Sequence, residues 1–170
     1  MKERYQRQNL LLEIGEEGQE KLRKARVLIV GVGGLGCPIA LYLCGAGVGH
    51  LGLIDDDYVS ISNLPRQVLY DETDIGKLKV SCAVRHLQAK NSDIQIDSYP
   101  FRLDKENAEA LIAKYDIVVD GCDNHDTRYL ISDVCHQQQK PYVYAAIGAF
   151  RGQAGVLCYD EQASTYRTLF

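Results

Sequence analysis

No run of apolar residues in this 170-residue chain approaches the roughly 20 needed to cross a bilayer, and the opening Met1-Lys-Glu-Arg-Tyr-Gln-Arg-Gln8 is charged where an export signal would be apolar. The expectation is a cytoplasmic protein without membrane association. An excess of basic residues is missing too. With 19 Lys and Arg against 23 Asp and Glu, the net charge of -4 argues against a phosphate backbone as the main ligand, so no nucleic-acid partner is expected. The cysteines (Cys37, Cys44, Cys82, Cys122, Cys135 and Cys158) form no Cys-x-x-Cys pair, which removes both a disulfide frame and a zinc site and leaves reduced, mostly buried thiols. Cys122, beside Asp123 at a strand end, reads either as a small core residue or as a reactive thiol. The histidines (His50, His86, His125 and His136) are scattered without metal spacing or a Cys-His or Ser-His pairing, so nucleophilic catalysis by the protein itself has little support. Repeats, low-complexity tracts and linkers are also lacking. The length suits one compact α/β domain and is too short for a nucleotide domain plus a full substrate domain. Residues 1–170 therefore read as a single domain: an N-terminal arm over 1–25, a core over 26–159 and an irregular segment over 160–170.

What is present is a nucleotide signature. Val27-Leu-Ile-Val-Gly-Val-Gly-Gly-Leu-Gly36 is a buried strand followed by a glycine turn, and Leu51-Gly-Leu-Ile-Asp-Asp-Asp57 is a second strand ending in acids. Gly31 permits the turn, Gly33, with Gly34 beside it, lets backbone approach a phosphate, and Gly36 allows close helix-to-strand packing. The helix that follows aims its unpaired N–H groups and positive dipole end at phosphates. Asp55, about 20 residues beyond the last glycine, is placed to read a ribose hydroxyl. If the strand geometry persists, Asp55 and Asp57 face one way and Asp56 the other; Asp57 then either helps with a metal or holds the following loop.

Periodicity supplies the rest of the fold. Glu16 to Ala25 reads as a polar helix, and Leu35 to Cys44 as a second helix stopped by Gly45, Gly47 and Gly49. His50 to Ile54 is a strand, Lys77 to Lys90 a helix, and Ile94 to Tyr99 a strand. Asp104 caps a helix in which Ala108, Leu111, Ile112 and Tyr115 share a face, and Asp116 to Asp120 is another strand. Asp126 caps a helix through Gln138. Pro141 to Ile147 and Gly155 to Tyr159 are the last strands, with Gly148 to Gln153 between them. Alternating strands and helices predict an α/β, doubly wound, Rossmann-like and mostly parallel sheet with helices on both faces and ligand at the carboxyl ends of the strands.

Ser62-Asn-Leu-Pro-Arg-Gln67, followed by Lys79, places basic groups just past the ribose-reading strand. Arg66 and Lys79 are either a solvated surface or a grip on phosphate oxygens, Arg in bidentate fashion and Lys as a point charge. Asp123 is either a helix cap or a ligand for Mg²⁺, which typically takes one or two carboxylates beside substrate phosphates.

With these motifs and Asp120-Gly-Cys-Asp-Asn124 in this order, and from Arg4-Tyr-Gln-Arg-Gln8 onward, the chain resembles the ThiF/MoeB/HesA family, the bacterial relatives of ubiquitin-activating enzymes. The resemblance implies an ATP- and Mg²⁺-dependent adenylyltransferase acting on the C-terminal glycine carboxylate of a ubiquitin-like sulfur-carrier protein, in thiamine thiazole or molybdopterin synthesis, with release of pyrophosphate. It implies Asp55 for the ribose, Arg66 and Lys79 for the phosphates, Asp123 for magnesium, and Asn63 and Gln67 around the triphosphate. Arg7 matches an arginine that reaches the partner subunit's nucleotide, which implies a homodimer.

Two departures stand out. Thr165-Tyr-Arg-Thr168 lies where family members often carry Cys-Tyr-Arg-Cys, and threonine cannot replace a thiolate, so zinc is not expected. The family chain also usually continues into a crossover loop and further strands, so the expectation is a fold truncated at its C-terminus. Two other readings stand beside adenylyl transfer: an NAD-binding oxidoreductase domain with Asp55 on the adenosine ribose, and a non-catalytic module that docks a ubiquitin-like protein.

Overall fold

A computed structural model describes residues 3–160 and 162–170; the first two residues of the arm and Glu161 lie outside them. A 3-10 turn (Glu3–Tyr5) leads into α1 (Gln6–Asn9) and α2 (Gly15–Lys24). Then follow β1 (Arg26–Val30), α3 (Gly36–Ala46), β2 (His50–Ile54), α4 (Lys79–Lys90), β3 (Gln95–Tyr99), α5 (Ala108–Ile112) and β4 (Ile117–Asp120). The chain continues through α6 (His125–Gln137), β5 (Tyr142–Gly148), β6 (Arg151–Leu157) and α7 (Tyr166–Leu169).

The strands form one six-stranded sheet in the order β3-β2-β1-β4-β5-β6, parallel throughout except for β6, which runs antiparallel to β5. Strand alternation explains why β1 is apolar at every position from Val27 to Val30. Val27 and Ile29 pack with Cys37, Ala40 and Cys44 of α3 and Val80, Ala83 and Leu87 of α4, whereas Leu28 and Val30 pack with Leu111 of α5, Ile131 of α6 and Tyr166 of α7. The sheet thus carries helices on both faces. Strand order reverses between β1 and β4, where an open α/β sheet leaves a crevice beyond its carboxyl ends.

The elements depart from the sequence reading in six places. Helix α5 covers only Ala108–Ile112, with Asn107 rather than Asp104 at its N-cap and Tyr115 beyond its end. Helix α3 runs through Gly45 to Ala46, because Gly47 (φ 84°) is the left-handed residue that ends it. Asn124, not Asp126, caps α6, its side chain accepting from the Thr127 N–H at 2.9 Å. Strand β6 begins at Arg151 rather than Gly155, since the neighbouring β5 pairs with it from Gly148 to Tyr142 across a two-residue turn and holds two glycines in the ladder despite their low strand propensity. The last segment is ordered by α7, whose Tyr166 is fully buried, its N–H donating to the Ser132 hydroxyl at 2.8 Å. Finally, Asp55, Asp56 and Asp57 do not alternate. The strand ends at Ile54, and the three carboxylates lie within 4.8 Å of one another.

Two partly or fully buried carboxylates make the fold sensitive to acid. Burial alone would raise Asp97, but hydrogen bonds from His50 (2.7 Å) and Gln95 (3.2 Å) hold it below the usual carboxylate range. Burial likewise works against ionised Asp74, and the contacts with His86 (2.8 Å), the Asp71 N–H (3.2 Å) and Arg85 outweigh it. A carboxylate with a depressed folded pKa contributes stability that is present above its unfolded value, near 3.9, and is lost as pH falls through the folded one. The melting temperature is therefore expected to fall steeply below about pH 4. In Asp74→Asn it should start lower at pH 6 and fall less between pH 6 and pH 3, which thermal scans across that range would check.

Candidate functional site

A cleft of 730 Å³ opens at the carboxyl ends of β1, β2 and β4, bounded by the glycine loop, the Asp55 run, the Asn63 to Gln67 segment and the loop after β4. The glycine loop is held from three sides. The Gly31 N–H donates to the Ile54 carbonyl (2.8 Å), the Val32 N–H to Asp55 Oδ2 (2.8 Å), and the buried Tyr70 hydroxyl to the Val32 carbonyl (2.7 Å). Gly31 sits at φ 88°, and a side chain there would meet the Gly121 carbonyl at 2.7 Å. At Gly33 the space is open: a Cβ would approach only Gln67 Nε2, at 3.6 Å. Within the first turn of α3 the Cys37 and Ile39 N–H groups already donate to the Gly33 (2.9 Å) and Leu35 (3.3 Å) carbonyls, so an anion is met by the glycine loop at the positive end of the helix rather than by those groups.

The acids and bases around this loop have distinct states. Asp55 also accepts the Asp57 N–H on Oδ1 at 2.9 Å, so its carboxylate is locked in place with lone pairs left over toward the cleft. Lys79 is 5% exposed, which would be costly for a lone ammonium; Asp57 Oδ2 lies 2.7 Å from its Nζ and compensates it. Asp57 thereby pairs with the first residue of α4, and its carboxylate also stands within 4.8 Å of those of Asp55 and Asp56. Arg66 is exposed, with its stem against Gly34 and Nη1 on the Ser62 carbonyl at 2.9 Å. Asn63 Oδ1 accepts from the Ser60 N–H at 3.1 Å, leaving the amide group for a ligand. Gln67 is 3% exposed, and its buried Oε1 has no hydrogen-bond partner among the described residues, a deficit that a donor in the cleft would relieve.

Asp123 stands exposed on the opposite wall, with no hydrogen bond or ion pair among the described residues. Since Asn124 does the capping, the Asp123 carboxylate is available to a cation. Burial, followed by the nearby Asp120 carboxylate, pushes the thiol of Cys122 beside it up to about 12, which disfavours the thiolate.

Arg7 does not join this cleft. It is exposed on α1, an arm docked at the amino ends of the strands through the buried Tyr5, whose hydroxyl accepts from Asn91 Nδ2 at 2.9 Å, and through Gln8 to the Ala46 carbonyl at 3.3 Å. Thr165 and Thr168 cap each other's turn at the start of α7, the Thr165 N–H donating to Thr168 Oγ1 at 2.9 Å.

Sequence reasoning missed Phe101, Arg102 and Leu103, which line the cleft from the loop after β3, and Arg128, buried in its wall. Phe101 to Leu103 carry no motif. Arg128 did leave a signal: it shares the inward stripe of α6 with Ile131 and Cys135, and a charge on a buried stripe requires a buried partner.

A family model described as the ThiF family matches residues 5–170. The chain is 45% identical over 172 residues to the sulfur carrier protein adenylyltransferase of Thermus thermophilus, a match that covers 99% of this chain and 64% of that protein. Among solved structures, that of selenomethionine PaaA superimposes with a TM-score of 0.86 at 28% identity, over 98% of this chain and 54% of the other. A structure of Escherichia coli MccB with ATP gives 0.70 at 32% identity, over 75% of this chain and 38% of MccB.

Proposed function

The chain belongs to the ThiF family, and from that premise we propose that residues 1–170 form one ATP-binding adenylation domain that activates the C-terminal glycine carboxylate of a ubiquitin-like sulfur-carrier protein, in thiamine thiazole or molybdopterin synthesis. The observation that carries this reading is the meeting of an open glycine loop with Arg66, Lys79 and a free Asp123 around one cleft.

A terminal carboxylate is ionised at neutral pH, so the nucleophile needs no general base, and the scattered histidines are no obstacle. A carboxylate oxygen forms a bond to the α-phosphorus of ATP as the bond from that phosphorus to the bridging oxygen breaks. Pyrophosphate leaves with the electron pair and adenylate remains on the glycine. The site must align the two reactants and supply positive charge where negative charge gathers. The glycine loop, at the positive end of α3, receives phosphate oxygens, Asp55 the ribose, Arg66 and Lys79 the departing pyrophosphate, and Asn63 and Gln67 the triphosphate. Asp123 would hold Mg²⁺, which supplies charge neutralisation on the triphosphate. Arg7, at the far end of the sheet from its own cleft, is assigned to the cleft of a second copy in a homodimer.

The test is pyrophosphate exchange into ATP by the full-length protein with purified carriers ending in glycine. Exchange that requires both a carrier and Mg²⁺ is expected. A failure with every carrier, alongside selective binding of NAD in calorimetry, would overturn the reading in favour of a redox domain.

A further inference from the structure

We infer that Arg128 is a positioning residue for the magnesium ligand: with Asp120, it fixes the short loop that presents Asp123 to the cleft. The inference rests on the adenylation reading and deepens it.

The loop after β4 is held at both polar groups of one peptide neighbour. Asp120 Oδ1 accepts the Cys122 N–H at 2.8 Å, and Arg128 Nη2 donates to the Cys122 carbonyl at 2.7 Å. The two anchoring side chains are joined to each other, Arg128 Nε donating to Asp120 Oδ2 at 2.9 Å, and the Tyr142 hydroxyl donates to the same oxygen at 3.2 Å. Asp120 is 0% exposed and Arg128 6%, so the clamp works in the interior, where such bonds are strong and a missing partner is costly. Arg128 Nη2 also reaches the Ala145 carbonyl at 3.4 Å, and its guanidinium lies 5.6 Å from the Tyr144 ring centre, which ties β4, β5 and α6 to this one loop.

Asp123 is the next residue along, and among the described residues its side chain makes no hydrogen bond or ion pair. Its position is therefore set through the Cys122 peptide. A forked guanidinium suits the task because one group must satisfy a carboxylate and a carbonyl in divergent directions; an ammonium can stay beside Asp120 but cannot span both.

The experiment compares the full-length protein with Arg128→Lys and with the double variant Asp120→Asn/Arg128→Met, which leaves no unpaired buried charge if the single change unfolds the protein. Binding of Mn²⁺ is followed by electron paramagnetic resonance in the presence of α,β-methylene-ATP, and binding of the nucleotide analogue alone by calorimetry without metal. Loss of an outer-shell partner is expected to weaken Mn²⁺ binding by about 10–100-fold, with metal-free affinity for the analogue held within about twofold. Unchanged Mn²⁺ affinity in a folded variant overturns the inference, as does an equal loss of metal-free nucleotide binding, which would mark Arg128 as structural only. Asp123→Asn is the control for the underlying reading: if it leaves Mn²⁺ affinity unchanged, the assignment of Asp123 fails, and the failure is not that of Arg128.

Discussion

Asp123→Asn is expected to lower carrier-dependent pyrophosphate exchange by about 10²–10³-fold, the scale seen when a group that meets developing charge is removed. The same substitution should leave stability within about 0.5 kcal/mol, as for a surface change that removes no structural contact. The carboxylate is exposed and makes no hydrogen bond or ion pair among the described residues, and the neighbouring Asn124 caps α6 in its place. Asparagine preserves shape and leaves an amide oxygen, but it removes the negative charge that a cation on the triphosphate would meet. Exchange assays over a range of Mg²⁺ concentrations, with thermal melts on the same samples, separate the two quantities. Undiminished exchange in the variant would remove Asp123 from its role. Asp120→Asn, three residues earlier, should behave in the opposite manner: it strips the buried partner from Arg128, and breaking such a pair costs about 3–5 kcal/mol, so its melt should collapse before its activity can be read.

This contrast between two nearby aspartates marks the boundary of what the sequence discloses. The strand before Gly31, its all-apolar character and its successor ending at Ile54, just before the acids, follow from chain-local rules, because a parallel strand covered on both faces leaves no polar position. Gly31 and Gly36 were legible for a similar reason: each answers a steric demand of the folded backbone, a positive φ at Gly31 and a close approach to the Gly31 carbonyl at Gly36. Partnerships across the chain were not. That Asp57 neutralises Lys79, 22 residues away, depends on where the strand ends and the loop returns, and β-alternation alone placed Asp57 on the wrong footing with Asp55. Asn124 and Asp126 are both good caps by composition; Asn124 takes the role because it stands in extended backbone (φ -129°, ψ 146°) just before the first helical residue, whereas Asp126 is already inside the helix. The segment 160–170 was unreadable because its anchor is tertiary: Tyr166 carries no period, yet its ring packs against Tyr129, Tyr144 and Phe170, and its hydroxyl lies 2.9 Å from His125 at the rim of the cleft.

Gly33→Ala and Gly36→Ala, three residues apart in one loop, are expected to fail in opposite ways. At Gly36 a Cβ would stand 1.9 Å from the Gly31 carbonyl oxygen and 2.9 Å from its carbon, so the backbone of the loop or the start of α3 must move. Overpacking of this kind costs about 1–3 kcal/mol or more, and the melting temperature of Gly36→Ala should drop accordingly, with nucleotide binding lost as a consequence of the displaced loop. At Gly33 the protein offers no obstacle, since the nearest atom is a side-chain amide at 3.6 Å and the residue has no positive φ to strain. Stability should stay within about 0.5 kcal/mol. The methyl group would instead occupy the space through which backbone approaches phosphate, so ATP affinity should fall by at least about tenfold, roughly the 1.4 kcal/mol that one displaced charge-assisted hydrogen bond represents. Calorimetric titration of ATP into each variant, paired with its thermal melt, tests both halves. A Gly33→Ala protein that binds ATP as tightly as the parent would place the phosphates elsewhere in the cleft and detach the glycine loop from the triphosphate, whatever Arg66 and Lys79 contribute. A Gly36→Ala protein that melts normally would mean that the 1.9 Å approach relaxes at little cost, and the third glycine would then be a packing preference rather than a requirement.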